Sequence, residues 1–202
     1  MRKGHVTFGS FTHPGRLSDA TVTAWARILA GRASSRLMLK YGAFVDPVLQ
    51  EATRARFAAR GVDPERLDFS GHSTGDEYLA AFGELDLALD PSPCAGGTTS
   101  SEAVSQGVPL VTLRGPDFYG RLGVLRLEPL GLHSLVAESW DDYVDRALAV
   151  TADLRALDAL RQSMRARFDG SILRDEAGFA RRLEAAFRQM YAIWETGARY
   201  AA

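Results

Sequence analysis

The chain predicts an α/β fold, a Rossmann-like parallel sheet with helices on both faces. Three observations carry that prediction. Short apolar runs such as Leu37 to Leu39 and Leu67 to Ser70 alternate with longer stretches whose apolar residues recur every three or four positions, as buried parallel strands and crossover helices require. The run Cys94-Ala95-Gly96-Gly97-Thr98-Thr99-Ser100-Ser101-Glu102-Ala103 lies between an apolar strand and a helix, the junction at which such folds approach anions. The 202 residues, 46% hydrophobic and 24% charged, suffice for one substantial core, and no internal repeat, low-complexity segment or linker divides them.

The elements follow in order. His5 to Phe8 is the first strand, and Ser18-Asp19 opens a helix that places Val22, Trp25, Ile28 and Leu29 on one face. Leu37 to Leu39 is the second strand. Asp46 caps a helix with Pro47 at its first position, where a missing N–H costs nothing, and Gly61 ends it just after Arg60. Leu67 to Ser70 is the third strand. A short helix over Asp76 to Phe82 leads to a fourth strand at Leu85 to Leu89, then the glycine-rich turn, a helix through Val104, and a fifth strand at Val108 to Leu113. Five βα units result. Beyond them Asp141 caps a helix through Ala149, and Leu154, Leu157, Leu160, Met164 and Phe168 form an apolar stripe. A second stripe, Phe179, Leu183, Phe187, Met190 and Trp194, marks a long terminal helix whose apolar residues belong to a core or an interface. Residues 1–202 thus read as a single domain with a helical extension over about 141–198.

Composition narrows the function classes. A net charge of -1 gives no footing for nucleic acid or for an acidic partner. The single cysteine, Cys94, excludes an internal disulfide framework, and no run approaches the ~18 apolar residues of a membrane span. Met1-Arg2-Lys3-Gly4-His5 leads into a strand rather than a long apolar segment, so no signal peptide is read and a reducing cytoplasm is expected. Lys3 and Lys40 are the only lysines among 24 basic residues, a skew that reflects coding bias more than function.

The glycine-rich run carries the chemistry. Gly96 and Gly97 let a backbone approach a ligand closely, and the free N–H groups of a helix's first turn favour phosphate. Thr98 and Thr99 add hydroxyl donors. Glu102 falls one turn further on, where its carboxylate faces the same crevice and accepts from a ribose diol. The duller reading is an ordinary strand-to-helix turn with Thr98 or Thr99 as the cap. Asp86 and Asp90 bracket the fourth strand, and their spacing puts both on one face rather than in a chelating turn, so no metal is expected.

These residues resemble glycosyltransferase family 41, the O-GlcNAc transferases, SPINDLY-like proteins and their bacterial relatives. The likeness is carried by Phe8-Gly9-Ser10-Phe11, Arg16-Leu17-Ser18-Asp19, Trp25-Ala26-Arg27-Ile28-Leu29, Asp90-Pro91-Ser92-Pro93 before Gly96-Gly97-Thr98-Thr99, Glu102-Ala103, Gly107-Val108-Pro109-Leu110-Val111-Thr112-Leu113, Arg121 and Gly131-Leu132, in the family's order. It implies the C-terminal, donor-binding lobe of a metal-independent GT-B glycosyltransferase acting on a UDP-sugar, UDP-GlcNAc above others, with inversion and with protein as acceptor. No cofactor is implied. The preceding lobe and the tetratricopeptide region that hold the acceptor in the family are missing from this chain, so the chain alone is expected to bind rather than turn over. A catalytically silent nucleotide-binding or interaction module, and another GT-B enzyme such as a sugar-nucleotide epimerase, are the alternatives.

The resemblance assigns roles by position. Thr98 and Thr99 match the diphosphate-binding threonines, Glu102 stands where an aspartate grips the ribose, and Arg16 replaces a lysine on the phosphates next to the sugar, a leaving-group stabiliser. Tyr78 sits where a ring packs on uracil, the backbone around Ser73 reads the base edge, and His13 lies near phosphates and sugar. Gly97, Gly75 and Ala81 replace a histidine, a lysine and an arginine of the animal enzymes, so the grip on the donor is expected to be weaker. Structural readings stay open beside these roles. Arg16 could pair with Asp19, His13 could be solvated, and Tyr78 could pack on Leu85 or Phe82. Arg121, read at a helix start, is a poor dipole partner and so points to an anion nearby. His72 and His133 are read as surface residues.

Overall fold

The computed structural model describes residues 4–197. The lead-in Met1-Arg2-Lys3 and the last position of the expected extension, 198, lie outside the described residues. Six parallel strands form one sheet in the order β3-β2-β1-β4-β5-β6, with β1 at Thr7–Ser10, β2 at Arg36–Lys40, β3 at Leu67–Ser70, β4 at Leu87–Leu89, β5 at Leu110–Leu113 and β6 at Val136–Ala137. Sequence order reverses between β1 and β4, so the connections leaving these two strands part to opposite sides and open a crevice beyond their carboxyl ends.

The helices are α1 (Asp19–Gly31), α2 (Pro47–Ala58), α3 (Gly75–Ala81), α4 (Thr98–Ser105), the single turn α5 (Val124–Leu127), α6 (Trp140–Ala152), α7 (Leu154–Asp169) and α8 (Glu176–Glu195). Ser18 Oγ caps α1 on the Thr21 N–H, and Asp46 caps α2 through Val48 with Pro47 inside the first turn, both as the sequence predicts. Gly61 takes φ +79°, the left-handed geometry that stops the chain after α2.

Several boundaries differ from the sequence reading. β1 starts at Thr7 rather than His5, because Gly4 turns the chain at φ +72° and the ladder with β2 opens at Thr7 opposite Arg36. β4 is shorter at its start: a one-turn helix, Phe82–Glu84, ends two residues before it, and the Asp86 carboxylate is drawn to the Thr7 N–H at 2.8 Å. β5 begins after Pro109, which has no N–H for the ladder. Ser139, not Asp141, caps α6, since its hydroxyl accepts from the Asp142 N–H and the helix starts at Trp140. The sixth strand was not predicted, its two residues being too short to show a period.

The core spans the sheet, with Phe8, Leu37, Leu39, Leu67, Leu87 and Val111 buried on the strands and Trp25, Ile28 and Leu29 on α1. One polar line crosses it. Trp25 Nε1 donates to Tyr143 Oη at 3.2 Å, and Tyr143 Oη donates to the Asp90 carbonyl at 3.0 Å. This ties α1 and α6 to the end of β4, at the floor of the crevice. The stripe on α7 is partly core, with Leu157 and Met164 buried. The stripe on α8 is not: among its residues only Gly178 is buried, which leaves the interface reading and overturns the core one.

Candidate functional site

The crevice is lined by the loops that leave β1, β2, β3 and β4. An open cleft of about 460 Å³ between them touches Phe11, Lys40, Tyr41, Ser73, Tyr78 and Thr99, among others. Each wall follows from local sequence. Asp90 at the end of β4 is followed by Pro91 and Pro93, which cannot extend a strand ladder, and the glycines then let the chain turn into α4.

Neither Thr98 nor Thr99 caps α4. Gly97 holds the cap position and offers no side-chain bond, so Thr98 and Thr99 are the first two helical residues. Their N–H groups and that of Ser100 therefore have no intrahelical acceptor. Gly96 serves differently, its N–H turned inward to Asp90 Oδ1 at 2.7 Å. The turn thus splits its amides, one taken by a core carboxylate and the first helical ones left without an acceptor inside the helix.

Glu102 and Tyr78 meet across the cleft. Tyr78 Oη donates to Glu102 Oε2 at 2.6 Å, and its ring packs edge-on to Phe82 and beside Phe11. Burial and the negative carboxylate push the Tyr78 hydroxyl well above its ordinary value, so it stays a donor. The packing alternative for Tyr78 is realised on Phe82 together with the polar contact. Nearby, Ser73 Oγ is buried and has no hydrogen-bond partner among the described residues. An orphan hydroxyl at a cleft wall is a group that a ligand can satisfy.

Arg16 does not pair with Asp19. Asp19 is taken by Arg56 at 2.9 Å and Arg60 at 3.5 Å, while Arg16 Nη1 donates to the Ala95 carbonyl at 2.6 Å. That bond brings the guanidinium to the glycine-rich loop from the β1 side of the crevice. His13 is exposed and structural in part: its Nδ1 accepts from the Gly15 N–H, and its ring meets Tyr41 edge-on at 4.9 Å. Arg121 closes a one-turn helix, Tyr119–Arg121, rather than opening one, and donates to the Gly115 and Pro116 carbonyls at 3.0 Å each. It clasps its own loop. That loop reaches the glycine-rich turn through the Ala95 N–H, which donates to the Tyr119 carbonyl.

Two cleft residues were missed, Lys40 and Tyr41, as was the role of the buried Asp90 behind the glycine-rich turn. Lys40 is buried at the end of β2 and donates to Ser70 Oγ at 3.0 Å and the Gly71 carbonyl at 2.9 Å, an ammonium held on neutral acceptors at the cleft wall. Its rarity in a chain of arginines was the available signal. Tyr41 follows it on the same wall. Asp90 is 1% exposed, and desolvation raises its carboxyl to about 6 against the hydrogen bonds of Gly96, Thr112 and Ser100. Asp86 and Asp90 do not act as a pair, since Asp86 binds Thr7 and Asp90 the loop. His72 is exposed as expected, though it borders the cleft.

Known proteins are similar to this chain in sequence and in fold. Residues 2–183 match Glycosyl transferase family 41. The probable UDP-N-acetylglucosamine–peptide N-acetylglucosaminyltransferase SPINDLY of Solanum lycopersicum is 34% identical over 196 residues, covering 95% of this chain and 21% of that protein. Its counterpart in Oryza sativa subsp. japonica is 36% identical over 190 residues, covering 93% and 20%. The chain therefore spans about a fifth of the length of these relatives. A mutant O-GlcNAc transferase from Thermobaculum terrenum superimposes with a TM-score of 0.88 at 35% identity over 94% of this chain and 36% of its own. The C-terminal domain of a glycosyl transferase group 1 family protein from Francisella tularensis, 12% identical, shares the fold with a TM-score of 0.57 over 81% of this chain and 84% of its own. The parallel sheet with its flanking helices has the fold of the C-terminal lobe of GT-B glycosyltransferases. Motif order, sheet topology and the length of the match agree, and the chain belongs to glycosyl transferase family 41.

Proposed function

We propose that this chain is the donor-binding lobe of an inverting protein O-glycosyltransferase, and that its crevice takes a UDP-sugar, UDP-GlcNAc above others. The observation that carries this reading is that Thr99 in the first turn of α4, Tyr78 and Ser73 line one cleft at the carboxyl ends of the strands, with Glu102 bonded to Tyr78 and Arg16 to the Ala95 carbonyl of the glycine-rich turn. The plant relatives' names supply the donor and the acceptor class.

The α4 amides and the Thr98 and Thr99 hydroxyls receive the diphosphate, with Gly96 and Gly97 allowing its close approach. Glu102 has one oxygen on Tyr78 and the other for the ribose. The Tyr78 ring flanks the base, and the Ser73 hydroxyl with its neighbouring backbone meets the base edge. Arg16, reaching in from the other side, neutralises charge as it develops on the departing diphosphate. His13 lies on the same rim, and Arg121 acts by holding the loop that backs the glycine-rich turn. In the reaction an acceptor hydroxyl oxygen bonds to the anomeric carbon as the bond to the diphosphate breaks. UDP leaves with that electron pair, and the hydroxyl proton passes to a base.

The base and most acceptor contacts belong to a preceding lobe, and the apolar face of α8 fits a surface of that kind. The chemistry assigned to Arg16 and the α4 amides needs no metal, and one free cysteine, Cys94, suits the cytoplasm. Titration calorimetry tests the reading. UDP should bind, and replacing Thr98 and Thr99 together with Val should weaken it by roughly 1 to 3 kcal/mol. No detectable UDP binding at millimolar concentration would reject the reading.

A further inference from the structure

Asp90 is the most completely enclosed carboxylate near the crevice, and three elements converge on it. Oδ1 accepts from the Gly96 N–H of the loop at 2.7 Å and from the Ser100 hydroxyl on α4 at 3.1 Å. Oδ2 accepts from the Thr112 hydroxyl on β5 at 2.9 Å. Its backbone is fixed as well, the N–H on the Val111 carbonyl at 3.0 Å and the carbonyl under Tyr143. Two glycines make room for this packing. A methyl at Gly96 would collide with Ser100 Oγ, and one at Gly123 with Thr112 Oγ1 and Asp90 Oδ2. A buried carboxylate is costly unless its lone pairs are taken, and here two of its three donors come from the loop and the helix that form the proposed anion seat.

We propose that Asp90 is a positioning residue for the donor diphosphate: it draws the Gly96 N–H and the Ser100 hydroxyl inward, which sets the path of the loop and turns the first-turn amides of Thr98 and Thr99 toward the phosphates. Asp90 does not touch the ligand. The inference rests on the proposed donor reading, and it adds that binding strength is built by a group behind the loop. Without that anchor the loop samples other paths, and the ordering cost falls on ligand binding.

The test compares the chain with its Asp90→Asn variant by calorimetry against UDP and uridine monophosphate, and by amide hydrogen exchange. Asn keeps the shape but brings an N–H₂ to where two hydroxyls and an amide all donate. In the folded variant, exchange of the Gly96 to Ser101 amides should quicken at least tenfold while that of α1 is unchanged. UDP affinity should fall at least tenfold, and the preference for UDP over uridine monophosphate should shrink with it. A purely structural role would move both nucleotides alike or neither, and either result overturns the proposal. Faster exchange with unchanged UDP affinity also overturns it. If the unmodified chain binds no UDP, the donor reading itself fails and takes this inference with it; a parent that binds, beside an indifferent variant, sinks this inference alone. Where Asp90→Asn does not fold, Ser100→Ala and Thr112→Val decide. Ser100→Ala, on the oxygen shared with the loop, should weaken UDP by three- to tenfold, and Thr112→Val by less than twofold. The reverse order would overturn the proposal.

Discussion

Around Asp90 the chain completes itself, whereas along α8 it does not. At the end of β4 a buried carboxylate, two hydroxyls, a loop amide, a tyrosine and a tryptophan form one connected set with every partner inside the chain. On α8, Phe179, Phe187 and Trp194 are 61%, 59% and 73% exposed, and Leu183, Met190 and Tyr191 lie open beside them. The helix is held by its Asp175 cap and by surface pairs such as Arg188 with Glu184, which stabilise a helix by tenths of a kcal/mol and bury nothing. A contiguous apolar face of this kind marks a contact surface. The difference teaches that the sheet carries its own reasons to fold, and that α8 carries apolar surface suited to something beyond the described residues.

The largest effect that could break this comparison is expected at Trp25. It is fully buried and heads the polar line to Asp90. Trp25→Ala should cost about 3 to 5 kcal/mol, from lost burial and from a Tyr143 hydroxyl deprived of its donor. Denaturant unfolding measures it. A loss under about 1 kcal/mol would mean that the sheet region is not the self-sufficient part.

A second effect comes from pH. Asp90 ionises near 6 in the folded chain against an ordinary 3.8, chiefly because burial disfavours the charge. The folded state therefore holds this proton more tightly than the unfolded chain does. The stability it contributes is fully present below about pH 4 and is lost as pH rises through 6, by about 3 kcal/mol. Asp19 and Asp175, held low by Arg56 and by the Gly178 N–H, act in the opposite sense only at lower pH. Unfolding curves between pH 4 and 7 should show the slope, and Asp90→Asn should flatten it. An unchanged slope in that variant would assign the titration elsewhere.

How much of this was legible in the sequence depends on the range of the interaction. Ser18, Asp46 and Gly61 act within one turn, and their caps and stop were read correctly because each partner lies two or three residues away. The strands were found by their apolar runs, with errors at the ends where a proline or a turning glycine decides the ladder. The turn of Gly96 to Thr99 into a helix was legible as a motif. What joins it to the rest was not: Arg16 with Ala95 is a contact across 79 residues, and Tyr78 with Glu102 across 24. Such pairs leave no period in the chain. Asp90 illustrates the same limit, since its spacing from Asp86 spoke only against a chelating turn, and the fold alone reveals its partners Gly96, Ser100 and Thr112. For α8 the period was right but could not choose between core and interface, because a period reports an apolar face and not what covers it.

A smaller effect tests whether the order near Asp90 extends to the cleft rim. Tyr78→Phe keeps the ring on Phe82 and removes only the donor to Glu102. The half-buried site should lose about 1 kcal/mol in thermal or denaturant unfolding. UDP affinity should fall three- to tenfold, because the freed carboxylate no longer has a fixed direction. Unchanged affinity would show that Glu102 is held by other means or is not used.

The smallest effect is the sharpest, because it is expected at the largest side chains. Phe187→Ser and Trp194→Ser should each change the unfolding free energy of this chain by less than about 0.5 kcal/mol, since both side chains already meet water in the folded state. Removing apolar surface that folding does not bury leaves no cavity and forfeits little transfer energy. The double variant should also be more soluble, having lost much of the exposed patch. When the chain is expressed with the preceding lobe of a longer relative, the same substitutions should weaken the association of the two parts, and each should cost more there than it does in the chain alone. Sedimentation of the mixed parts and calorimetry of the single chain give the two numbers. If instead each substitution costs the isolated chain 2 kcal/mol or more, α8 is buried in solution against the chain itself or a second copy, and the contrast with the Asp90 region disappears.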